Sequence, residues 1–73
     1  MRLSDLKPGQ SGTIVRMAGN GSLTQRLMEM GAIAGTKIRV IRYAPLGDPM
    51  EIELHSYRLS IRKSEASAVE VEV

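Results

Sequence analysis

The sequence predicts a mainly β fold, a small and strongly bent barrel of about five strands with one short α-helix, in a single domain over residues 1–73. Three observations point there. Apolar and polar residues alternate along several short runs, the period of a half-buried strand. Clusters of glycine, proline and serine separate these runs at close intervals. One segment alone, between Ser22 and Gly31, carries helical spacing. A barrel follows because a small sheet hides its edges by curling onto itself.

The elements are predicted in order. Ser4 and Asp5 suit a short turn or a single helical turn between Leu3 and Leu6. Lys7-Pro8-Gly9-Gln10 reads as a β-turn, with proline presetting φ and glycine supplying the freedom that follows it. "GTIVRM", 12–17, is a strand expected to bury Ile14 and Val15, and "AGNG", 18–21, breaks it. Ser22 is placed as an N-cap with Gln25 completing a capping box, and Gly31 as the residue that closes the helix. Leu23, Leu27 and Met30 recur at helical spacing and face the core, whereas Arg26 and Glu29 face solvent or a partner.

"TKIRVIRY", 36–43, starts with Ile38 and Val40 on one face and then slips phase to Ile41 and Tyr43, the mark of a bulge or a bend between sheets. "MEIELHS" and "YRLSIRK" alternate with almost nothing between them, so they form a tight hairpin near His55-Ser56. Glu51 and Glu53 then lie across from Arg58 and Arg62 as charge pairs. "SEASA", 64–68, is one helical turn capped by Ser64, and "VEVEV" is a last strand.

Composition excludes several chemistries. The chain has no cysteine, so disulfide staples, thiol catalysis and Cys-type zinc sites are out. The polar N-terminus does not read as a signal peptide and no apolar run approaches a membrane span, which predicts a cytoplasmic protein without direct membrane insertion. Ten Lys and Arg stand against eight Asp and Glu, interleaved, with two tyrosines as the whole aromatic inventory. That is a poor footprint for nucleic acid, which calls for clustered cations and stacking platforms.

No catalytic residue is predicted. His55, the only histidine, reads as a solvated turn residue with no local acid and hydroxyl beside it. Asp48, Glu51, Glu53 and His55 are hard or borderline ligands on a short stretch. Yet same-face neighbours on a strand stand about 7 Å apart, and Arg58 and Arg62 compete for the acids, so a solvated charged face is the expectation and no metal or cofactor is assigned. "GNGS" before the helix lacks the lysine and spacing of a phosphate loop.

"APLGDPM", 44–50, is the informative stretch. Pro45 and Pro49 restrict the loop and Gly47 lets it turn. Leu46 and Asp48 become a fixed apolar knob beside a fixed charge, a preorganised display that suits a protein partner; the competing reading folds Leu46 back over the end of the barrel. Arg26 and the off-stripe Met28 join Leu46 and Asp48 as candidate partner-binding residues, since methionine adapts readily to another surface.

Taken together, "LSDLKPGQSGTI", "LTQRLMEMGAIAGTKIRV", "APLGDPMEIEL" and "YRLSIRKSEASAVEV" resemble the FeoA family nearly end to end. The order and spacing of Arg26-Leu27, Gly31, Gly35 and the proline-bracketed loop carry the resemblance. Two positions depart from the family pattern: Ala34 stands where proline is usual, and Ser56 where the hairpin usually has glycine. The resemblance implies a cytosolic SH3-like β-barrel that is not an enzyme. It implies action with FeoB, the bacterial membrane transporter of ferrous iron, through that protein's cytosolic GTP-hydrolysing part. A weak homo-oligomer is compatible with the same pattern. A similar module ends iron- and manganese-dependent repressors, so a divalent-metal-binding regulatory domain is the alternative reading, and a small nucleic-acid-binding barrel the third.

Overall fold

The computed structural model describes residues 1–18 and 21–73. The first element is a 3-10 turn over Leu3–Asp5, and five strands follow: β1 (Ser11–Met17), β2 (Lys37–Tyr43), β3 (Met50–Leu54), β4 (Tyr57–Ile61) and β5 (Val69–Glu72). Helix α1 (Ser22–Glu29) lies between β1 and β2, and the four-residue α2 (Lys63–Ala66) between β4 and β5. All strand pairings are antiparallel, in the order β4-β3-β2-β1-β5.

The expected barrel is present but open. The end strands β4 and β5 do not pair. The physical reason is at the chain's start: Arg2 bridges to Glu70, and the Val71 N–H donates to the Met1 carbonyl at 2.7 Å. Residues 1–2 therefore occupy the edge of β5 that closure would have needed. A single apolar cluster fills the interior, from Leu3 and Leu6 through Ile14, Leu27 and Ile38 to Ile52 and Val71. Leu23 and Leu27 turn inward from α1, with Met30 half-buried beside them.

Two bulges bend the sheet. In β2 the register slips between Val40 and Arg42, as the phase change in the sequence predicts, and Ile41 is the extra residue. In β1 it slips between Ile14 and Arg16. That second bulge corrects the expectation for Val15: as the inserted residue it turns outward and is 41% exposed, while Ile14 is buried.

Three other expectations are corrected. Gly21, not Ser22, is the N-cap of α1; its extended backbone (φ −70°, ψ 169°) precedes a Ser22 already helical, and no side chain caps the end. The second helical turn starts at Lys63 with Arg62, not Ser64, as its N-cap, because Glu65 reaches back to accept from the Arg62 N–H at 2.9 Å and Ser64 lies inside the helix. Arg62 is thereby drawn into the start of α2, and Arg58 alone answers the acids of β3 from β4. The predicted break at 18–21, and with it the "GNGS" turn, falls partly outside the described residues at Gly19 and Asn20.

The turns follow their residues. Gln10 donates to the Lys7 carbonyl at 2.9 Å with Gly9 at φ 89°. The β3–β4 hairpin turns on His55 (φ 49°) and Ser56 (φ 71°), both left-handed, which makes it a two-residue type I′ turn.

Candidate functional site

The proline-bracketed loop leaves β2 at Tyr43 and enters β3 at Met50. Its neck is closed by the Ala44 N–H donating to the Pro49 carbonyl at 2.9 Å. Inside that neck the Gly47 N–H donates to the Ala44 carbonyl at 2.7 Å, a four-residue turn with Pro45 in the second place, where its fixed φ fits. Gly47 sits at φ 88°, where a side chain would strain the backbone. Leu46 then occupies the tip and is 96% exposed. Of the two readings open from the sequence, display and folding back, the geometry is display.

Residues far along the chain brace this loop. Asp48 Oδ1 accepts from the Lys63 N–H, the first of α2, at 2.9 Å. The Lys63 ammonium lies 4.6 Å from the centre of the Tyr43 ring, within cation–π range. The Tyr43 hydroxyl donates to the Leu6 carbonyl. A chain of contacts thus runs from the loop through α2 and Tyr43 to the first turn of the protein. Asp48 is fixed, as expected, but its carboxylate is turned toward α2 rather than left free beside Leu46. Tyr43 had a signal in the sequence, as the residue where an out-of-phase strand meets a proline loop; Lys63 had none.

Arg26 and Met28 lie elsewhere. Both are exposed on α1, whose end reaches the β3–β4 hairpin, where His55 Nε2 stands 3.4 Å from the Gly31 carbonyl oxygen. The Leu46 loop is at the opposite end of β3, about 13 Å away along a five-residue strand. The four candidate residues therefore form two groups, not one patch. Met28 is 59% and Ile33 63% exposed, so the α1 end has apolar surface of its own.

The outer face of the sheet is a ladder of charges. Glu53 meets Arg39 of β2 at 2.9 Å and Arg58 of β4 at 3.5 Å; Glu51 meets Arg42 at 3.5 Å and Arg58 at 4.0 Å. Each acid is flanked by arginines, which oppose a cation there. Among the described residues no three His, Asp or Glu side chains come together to hold a metal ion. An open groove of about 710 Å³ runs past Ser11, Thr36, Lys37, Arg39, Glu53 and His55. Two of its lining charges, Arg39 and Glu53, already satisfy each other.

No helix among the described residues is long and apolar enough to cross a membrane. A family model described as the FeoA domain matches residues 1–73. A curated relative, the Fe(2+) transport protein A/Fe(2+) transporter FeoB fusion protein of Porphyromonas gingivalis, is 41% identical over the whole chain. The chain spans 9% of that relative's length. The solution structure of the FeoA protein from Chlorobium tepidum is 37% identical, with a TM-score of 0.91 over 100% of this chain and 70% of that one. The zinc-complexed FeoA of Stenotrophomonas maltophilia, described as a prokaryotic SH3 domain protein, is 29% identical, with a TM-score of 0.84 over 99% of this chain and 89% of that one. The small barrel is thus SH3-like.

Proposed function

The chain belongs to the FeoA family, and from that premise we propose that it is a small cytoplasmic accessory protein of ferrous iron uptake, docking on the cytosolic GTPase part of a FeoB-type ferrous iron transporter. The observation that carries the docking is Leu46, 96% exposed on a loop closed at its neck and braced through Asp48 and Lys63. A bare leucine on a fixed support loses little conformational entropy when a partner covers it. Support for the choice of partner comes from the P. gingivalis relative, in which the two parts share one chain. Fusion of that kind holds two modules at high effective concentration.

The test is calorimetry of the purified chain against the transporter's soluble GTPase domain, with and without a GTP analogue. Burying a leucine contributes about 1.5–3 kcal/mol, so Leu46→Ala should weaken binding by roughly tenfold or more while the fold survives. Unchanged affinity in Leu46→Ala and in Leu46→Asp excludes the loop as the contact. The Arg26 and Met28 end of α1 is then the second face to vary.

A further inference from the structure

The two ends of the open sheet are treated differently. The edge of β5 is covered by Met1 and Arg2. The outer edge of β4 has no backbone or side-chain hydrogen-bond partner among the described residues. Which groups face outward follows from the turn. A two-residue type I′ loop makes Leu54 and Tyr57 a hydrogen-bonded pair. Tyr57, Leu59 and Ile61 therefore direct their N–H and C=O groups toward β3, and Arg58 and Ser60 direct theirs away. The same alternation holds across the sheet: Val40 donates to the Gln10 carbonyl at 3.0 Å and accepts from the Gly9 N–H at 2.8 Å, both on the β1 side.

Natural edge strands are usually blunted by an outward charge, a proline or a bulge. β4 has no proline, and its pairing with β3 runs without a register shift from Met50–Ile61 to Leu54–Tyr57. Its one charge, Arg58, is drawn back over Glu51 and Glu53.

We propose that a second copy of this chain pairs with this edge, β4 against β4 across a two-fold axis centred on Leu59. The strand fits itself in that register. Arg58 of each copy lies opposite Ser60 of the other, so no like charges meet, and their outward N–H and C=O groups exchange four hydrogen bonds. On the inner face Ile61 is buried in its own core, so the apolar contact comes from the two partly exposed Leu59 side chains, which meet at the axis, with the exposed Tyr57 of each copy flanking them. Opposed apolar side chains of this kind are the stabilising unit of antiparallel pairs. The interface is small, which sets a weak association, seen at high micromolar to millimolar concentration.

Sedimentation equilibrium and amide exchange on the purified chain test it, with the two substitutions made at Ser60. Ser60→Pro removes an outward N–H without touching the β3 ladder, which an edge strand tolerates. Ser60→Arg places like charges opposite across the axis, while in its own chain it faces Glu51 and so keeps the fold. Wild type should show concentration-dependent dimer with slowed exchange at the Arg58 and Ser60 amides, and both variants should weaken it at least tenfold. A monomer mass at millimolar concentration with those two amides exchanging freely overturns the proposal. So does association of wild-type strength in Ser60→Arg.

Discussion

Ser56→Gly should make this protein more stable. Ser56 holds φ 71° at the second position of the hairpin turn, next to His55 at φ 49°. A side chain in the left-handed region costs roughly 1–2 kcal/mol, from Cβ crowding the following carbonyl. Glycine avoids that cost but adds about 0.5–1 kcal/mol of backbone entropy to the unfolded chain. Ser56 is exposed and makes no side-chain hydrogen bond among the described residues, so little else is lost. The balance is a gain of about 0.5–1 kcal/mol. A domain of this size shifts by about 4–8 °C per kcal/mol, so Tm should rise by roughly 3–6 °C in a thermal melt followed by circular dichroism. Ser60→Gly is the matched control. It is the same exchange in an extended strand residue, where only the entropic cost operates, and Tm should fall. If Ser56→Gly leaves Tm unchanged or lowers it, the left-handed assignment of this turn is wrong, and the edge pairing argued from it falls as well.

Other outcomes follow from the same contacts. Asp48→Ala removes the acceptor for the Lys63 N–H and should cost about 0.5–2 kcal/mol by urea denaturation, the range of a lost helix cap. Leu46→Ala should leave stability within about 0.5 kcal/mol of wild type, as an exposed substitution does, which separates its role from that of Asp48. Leu27→Ala empties a fully buried site and should cost about 2–5 kcal/mol, a large share of what a domain this small has; its melt should be broad and low. Glu53→Gln breaks the exposed pairs to Arg39 and Arg58 and should cost up to about 1 kcal/mol at low salt, with the difference fading in high salt as screening grows.

What the sequence showed and what it hid divide along the range of the forces involved. Periodicity is local and strong, so β2, β3, β4 and β5, the α1 core stripe and the bulge at Ile41 were all legible. Turn chemistry is local too, and it located the hairpin at His55-Ser56 even without the usual glycine. Val15 is the misplaced residue whose position depends on a partner distant in the chain, whereas Ser22 and Arg62 are set by backbone and capping contacts close by. Val15 adjoins Ile14, the same adjacency that marks the bulge at Val40-Ile41, and the register against β5 turns it out. Ser22 has the chemistry of a cap but sits one residue inside the helix.

The candidate site shows the same division. That Leu46 would stand on a stiff loop could be read from two prolines and a glycine. That the loop is braced by Lys63 and Tyr43 could not, because the contacts join residues from opposite sides of β3 and β4. The open edge is the sharpest case. Strand count and alternation imply that a small sheet should close, and nothing in the β4 run distinguishes a strand that pairs from one that does not. The decision rests with Met1 and Arg2, which reach β5 first and leave β4 with its outward groups on offer. A barrel with one edge taken by its own first residues has one edge left for another chain, and the Arg58–Ser60 spacing makes a second copy a chemically matched occupant.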